Sequence, residues 1–125
     1  MSRILAITLA DDSFPRAHHA LVMAAGALSI GRSVVFFGGG LGVQALCRDW
    51  RGLAGSNFDA VLQERGVASF EMLREAVFEL GAEMLACESG LRAAGLDAEA
   101  LCMGVEVCGV TRFLERAGDG QILAI

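Results

Sequence analysis

From one end of the chain to the other, short apolar runs alternate with segments whose apolar residues recur every three or four positions. The runs are RILAITLA (3–10), SVVFFG (33–38), AEMLAC (82–87), LCMGVEVC (101–108) and QILAI (121–125), each near strand length and almost free of charge. Nearly continuous apolar strands fit a sheet covered on both faces. Between them the period lengthens. In 14–30, Ala17, Leu21, Ala24 and Leu28 share one helical face, with Asp12 or Ser13 as cap and Pro15 in the first turn. In 69–80 the stripe is Phe70, Leu73, Ala76, Val77 and Leu80, with Ser69 as cap and Gly81 as stop. In 109–118 it is Val110, Phe113, Leu114 and Ala117, closing at Gly118. A further helix opens at Glu88. Strand followed by helix, repeated, predicts right-handed crossovers over a parallel sheet. The expected fold is therefore an α/β protein, a three-layer α/β/α sandwich with a mostly parallel sheet of about five strands and flavodoxin-like layering. Residues 41–68 fit this scheme least and predict one or two short helices joined by RGLAGSN.

With 125 residues and 54% hydrophobic content, the chain has the size and core material of one domain spanning 1–125. A formal net charge of -5 offers no basic field for phosphates, so neither nucleic acid nor an anionic membrane is expected as partner. All ten positive residues are arginine. Without lysine there is no Walker A lysine, no Schiff-base lysine and no carrier lysine for biotin or lipoate. The start MSRILAITLADD is too short in its apolar run for a signal peptide, and ALVMAAGALSI, ending at Gly31-Arg32, is too short to span a bilayer. A cytoplasmic location is expected, and with it free thiols at Cys47, Cys87, Cys102 and Cys108.

Open parallel sheets bind and react at the carboxyl ends of their strands. That rule gathers Asp11 and Asp12, Gly38 to Gly40, Cys87 and Glu88, and Cys108 and Gly109 along one edge. The run FFGGGLG lacks the spacing of a dinucleotide fingerprint and follows the second strand, so it reads as a tight turn needing positive φ. His18 and His19 point about 100° apart on a helix and cannot chelate together; both are expected at the boundary of the exposed face. Cys102 and Cys108, on one extended strand, would lie about 20 Å apart, too far for a chelate or a bridge. No metal site or cofactor is expected. Cys87 and Cys108 are different, since each ends a strand. If those strands are neighbours about 4.8 Å apart, the two sulfurs can meet, as a relay or resolving pair. A helix opening at Glu88 would favour the Cys87 thiolate, while the adjacent Glu88 carboxylate opposes it and Arg92 offsets that in turn. An inert, buried Cys87 is the competing expectation.

The stretch GAEMLACESGLRAAGLDAEALCMGVEVCGVTRFLERAGDGQILAI resembles the C-terminal half of the DsrE/DsrF-like family, in particular its single-domain DsrE-like, peroxiredoxin-annotated branch. The shared pattern is a strand ending in cysteine, a short helix, an acidic turn, a second strand end, a helix and a last short strand. DSFPRAHHALVMAAGALSIGRSVVFF is similar to the family's first helix and second strand, and the likeness is weakest in 41–68. The resemblance implies an α/β sandwich that forms homo-oligomers, trimers or hexamers, and takes part in sulfur trafficking. In sulfur-carrying members the cysteine matching Cys87 holds sulfane sulfur as a persulfide and passes it to an acceptor protein. Two positions depart from the pattern: Glu88 is acidic beside the thiol, and Cys108 stands where glycine is usual.

The leading expectation is thus a cytoplasmic sulfur carrier or sulfurtransferase with Cys87 as persulfide-bearing nucleophile and Cys108 assisting. Glu88, Ser89, Asp12 and Gly39 are the expected substrate-binding residues, and sulfur donor and acceptor proteins the expected partners. The alternative is a non-catalytic α/β module that binds a ligand or partner, with an inert Cys87. In it, Cys47, Arg48, Trp50 and Arg51 form the recognition surface, with a buried Trp50 an equally good expectation; otherwise 41–68 is a lid or an oligomer contact.

Overall fold

The computed structural model describes residues 3–125. Five strands form one parallel sheet: β1 (Leu5–Leu9), β2 (Val34–Gly38), β3 (Glu83–Cys87), β4 (Glu106–Cys108) and β5 (Gln121–Ala124), in the order β4-β3-β2-β1-β5. From β1 to β4 the chain steps one strand at a time in one direction, then returns past the whole sheet to place β5 beside β1. A right-handed crossover puts its connection on one face for steps in one direction and on the other face for the return. The packing follows that rule. Helices α1 (Phe14–Ser29) and α3 (Phe70–Glu79) and the short α4 (Glu88–Ala93) bury Ala17, Leu21, Phe70, Val77 and Leu91 against one face. Helix α5 (Val110–Ala117) covers the other, where Phe113 stacks on Phe37 at 5.1 Å and Ala117 joins Ala6, Val35 and Leu85. Three layers are present, but the second outer layer is a single helix.

Helix starts obey local chemistry. Ser13 caps α1, its Oγ accepting from the Arg16 N–H at 3.3 Å, and Pro15 occupies the first turn, where its missing N–H costs nothing. Ser69 caps α3 through the Met72 N–H at 3.2 Å, and the buried Asp59 carboxylate accepts from the Phe70 N–H at 2.8 Å. Asp59 lies on α2 (Phe58–Glu64), so it ties α2 to the start of α3. Before α2, the 41–68 region forms two 3₁₀ helices, Gly40–Leu46 and Trp50–Gly52.

Three expectations need correction. The strand expected over 101–108 contains only Glu106–Cys108. Upstream, the Cys102 N–H donates to the Leu46 carbonyl at 2.9 Å and the Arg48 N–H to the Ala100 carbonyl at 2.8 Å, so Leu101 pairs antiparallel with Cys47 outside the sheet. A turn through Gly104, at φ +93°, then breaks the extension that the 20 Å separation of Cys102 and Cys108 assumed. His18 is buried, not at the boundary, its ring tilted against Phe14 and its Nε2 at 3.0 Å from the Ala68 carbonyl. The apolar face of α1 is wide enough to take in position 18 as well as 17 and 21. Trp50, for which both an exposed and a buried place were open, is half-buried: it packs on Phe14 and Phe70, and its Nε1–H donates to Glu71 at 3.1 Å.

Candidate functional site

Cys87 ends β3 and serves as the N-cap residue of α4, with extended backbone (φ -72°, ψ 124°). Its neighbour in sequence, Ala86, is fully buried within the sheet, so the sulfur emerges at the first position where the chain leaves it. The thiol is half-buried and opens on a cleft of about 300 Å³ lined by Cys87, Glu88, Ser89, Cys108, Gly109 and Val110. The Ser89 hydroxyl lies 3.1 Å from the sulfur. Backbone N–H groups of Gly90, Gly40 and Ser89 are also directed toward it.

These groups set the thiol's acidity. Burial pushes the Cys87 thiol up, but the Ser89 hydroxyl, then the amides of Gly90, Gly40 and Ser89, favour the anion and together bring it below its ordinary value. The other three thiols move the opposite way. Burial raises Cys108, and Glu106, Cys87 and Glu83 add to it against the opposing Arg112. Burial likewise raises Cys47 and Cys102. Cys87 is therefore the thiol most ionised near neutrality. The Glu88 carboxylate pairs with Arg92, 3.7 Å away on the exposed side of α4.

The Gly40 amide arrives from the FFGGGLG run. Gly40 adopts φ +48°, and a Cβ there would stand 2.8 Å from the Ala10 carbonyl oxygen, so the turn requires glycine. Gly90 of α4 sits against the Gly40 backbone so closely that a Cβ on it would collide with the Gly40 carbonyl. Two glycines without side chains thus let a turn after β2 reach a sulfur at the end of β3. The turn itself is anchored from below. Arg74 of α3, only 3% exposed, donates to the carbonyls of Ala45 (2.9 Å) and Cys47 (2.5 Å) at the end of the Gly40–Leu46 helix, and lies over the Phe70 ring. Helix ends leave such carbonyls without partners, and the guanidinium satisfies them.

Of the residues singled out from the sequence, the structure brings Cys87, Cys108, Glu88 and Ser89 to one cleft. β3 and β4 are adjacent, and Cys87 and Cys108 are register partners. Gly39 is occupied elsewhere, its N–H donating to the Leu9 carbonyl at 2.9 Å; Gly40 is the neighbour that faces the thiol. Asp12 lies past the end of β1, its carbonyl accepting from the Ala54 N–H at 2.7 Å, away from the cleft. The sequence places Gly40 on the carboxyl edge of the sheet, whereas it gives no sign that Gly90 or Arg74 belongs to the site. The glycine run signals a turn, but its approach to Cys87 joins residues more than a third of the chain apart and leaves no local pattern. Around Cys108 the charged rim comes from Glu106 paired with Arg112 (3.1 Å) and Glu83 paired with Arg116 (2.9 Å). Among the described residues, no three His, Cys, Asp or Glu side chains gather as a metal site, and no helix is long and apolar enough to cross a membrane.

Comparison with known proteins follows the same lines. A family model described as DsrE/DsrF/DrsH-like matches residues 48–124, more than half of the chain and including both Cys87 and Cys108. No curated protein matches significantly. Among solved structures, the YchN protein from E. coli aligns with a TM-score of 0.72 at 15% identity, covering 100% of both chains. A protein of unknown function, MTH1491 from Methanobacterium thermoautotrophicum, aligns with a TM-score of 0.66 at 20% identity, covering 99% of this chain and 100% of that one. At these identities the likeness establishes the fold, and it extends over residues 1–47, which the family match leaves out.

Proposed function

The chain belongs to the DsrE/DsrF/DrsH-like family, and from that premise we propose that it is a sulfur carrier or sulfurtransferase holding sulfane sulfur as a persulfide on Cys87. The observation that carries this reading is the half-exposed sulfur at the end of β3, facing a cleft, with Ser89 3.1 Å away and its acidity raised above that of every other thiol in the chain. A thiolate suits both halves of the exchange. It attacks the sulfane sulfur of a donor persulfide, forming the new S–S bond as the donor thiolate leaves. When an acceptor thiolate attacks the outer sulfur, Cys87 departs as an anion, and a lowered pKa aids that departure. Ser89 donates its hydroxyl hydrogen to the sulfur whenever the sulfur is charged. The partners are a donor and an acceptor protein, each presenting its own sulfur to an open cleft, in a reducing, cytoplasmic setting. A homo-oligomer, trimer or hexamer, is the proposed assembly.

Incubation with a small persulfide donor, followed by peptide mass mapping, tests the reading. One added sulfur atom on the Cys87 peptide is expected, absent in Cys87→Ala. No added sulfur there, or equal loading of Cys47 and Cys102, rejects the assignment.

A further inference from the structure

Cys108 has a place in the fold that the persulfide reading leaves unused. It is the last residue of β4 as Cys87 is the last of β3, and the two are paired in register across the parallel ladder. Register partners project from the same face of a sheet. Both thiols accordingly pack against the cluster formed by Ala6, Val35, Phe37, Leu85, Phe113 and Ala117 and line the same cleft. Neighbouring strands run about 4.8 Å apart, inside the Cα separations of about 4.4–6.8 Å that disulfides bridge. β4 is a three-residue edge strand, and Gly109 beyond it has open space where a side chain would be, so small adjustments at Cys108 meet little resistance. Cys47 and Cys102 line other surfaces and do not reach this cleft.

We propose that Cys108 is the resolving thiol for sulfur carried on Cys87, so that a loaded protein without an acceptor discharges internally as hydrosulfide. For the persulfide form this rests on the function proposed above. The Cys108 thiolate attacks the inner sulfur, the Sγ of Cys87. The bond from that sulfur to the outer one breaks, hydrosulfide leaves with the electron pair, and a Cys87–Cys108 disulfide forms. The sulfane sulfur is reduced to sulfide, the two cysteine sulfurs are oxidised to the disulfide, and no other oxidant takes part. Any group held on Cys87 by an S–S bond is displaced in the same way.

Two arms test it. In the first, wild-type protein and Cys108→Ser are loaded with a small persulfide donor, freed of it, and followed without acceptor. The wild type should release one hydrosulfide per persulfide and yield the Cys87–Cys108 disulfide on peptide mapping, while the variant holds its persulfide at least about tenfold longer, as expected when a neighbouring nucleophile is removed. Equal lifetimes, or movement of the outer sulfur onto Cys108 without hydrosulfide release, overturn the proposal. In the second arm, Cys87 is capped with an aryl disulfide, dithiobis-nitrobenzoate. Release of a second thionitrobenzoate, with formation of the Cys87–Cys108 bridge, is expected in the wild type and not in Cys108→Ser; a stable mixed disulfide in the wild type overturns the proposal. If Cys87 takes up no persulfide, the sulfur-carrier reading falls, and the second arm alone decides the resolving role.

Discussion

At the level of single residues, Cys87 and Cys108 share a cleft and differ in the charges around them. Cys87 faces donors; Cys108 faces Glu106 and Glu83, with Arg112 as the counterweight. A thiol alkylates through its anion, so the rate rises with pH until the group is fully ionised. Cys87, shifted down, should reach its plateau at lower pH than Cys108, and residue-resolved iodoacetamide labelling across pH checks the order. Simultaneous labelling of the two would remove the electrostatic distinction. Ser89→Ala deletes the one close hydrogen bond to the sulfur and leaves burial to act with less opposition. Hydrogen bonds to a charged partner contribute about 1.5–3 kcal/mol. The variant's Cys87 should therefore alkylate several-fold more slowly at neutral pH and move its midpoint upward, with thermal stability almost unchanged.

Among elements, the contact that matters is between the turn opening at Gly40 and the first turn of α4. Gly90→Ala would push a methyl group into the Gly40 carbonyl. Overpacking of this kind costs about 1–3 kcal/mol. Because the displaced backbone also carries an amide facing Cys87, the same change should slow Cys87 alkylation, which a purely structural defect far from the cleft would not do. Arg74 holds the other end of that 3₁₀ helix. Arg74→Met leaves the buried carbonyls of Ala45 and Cys47 without donors, and a loss of about 2–4 kcal/mol in urea denaturation is expected. The 101–108 run shows how an element is redirected. Its composition is that of a strand, yet Leu101 and Cys102 pair with the 46–48 segment because Gly104 turns the chain before it reaches the sheet.

For the whole molecule, the second face of the sheet is covered by one helix, and that helix carries apolar residues on its outer side. Val110 and Leu114 lie one turn apart on the outside of α5 and are 55% and 52% exposed. Contiguous apolar residues of this kind mark contact surfaces. If the chain assembles through this face, wild-type protein sediments as a trimer or hexamer and Leu114→Glu as a smaller species; a monomeric wild type would count against assembly. The β5 edge, with Ile122 48% exposed, is the other uncovered border of the sheet.

Periodicity and caps determined most of the strands, helices α1, α3 and α5 and the placement of Cys87 and Cys108 at strand ends, because those features depend on residues within a turn or two of one another; the parallel arrangement followed from the alternating order of strands and helices. Serine before an apolar stripe, glycine after it and an apolar run of strand length act locally and are written locally. Tertiary structure decided what each end meets. It buried His18, shortened the fourth strand, set Arg74 under a 3₁₀ helix, brought the Gly40 amide rather than that of Gly39 beside Cys87, and left Asp12 outside the cleft. Each of those outcomes depends on backbone atoms tens of residues apart coming within hydrogen-bonding or van der Waals distance. Such contacts are selected by packing the whole sheet at once, and no local pattern encodes them.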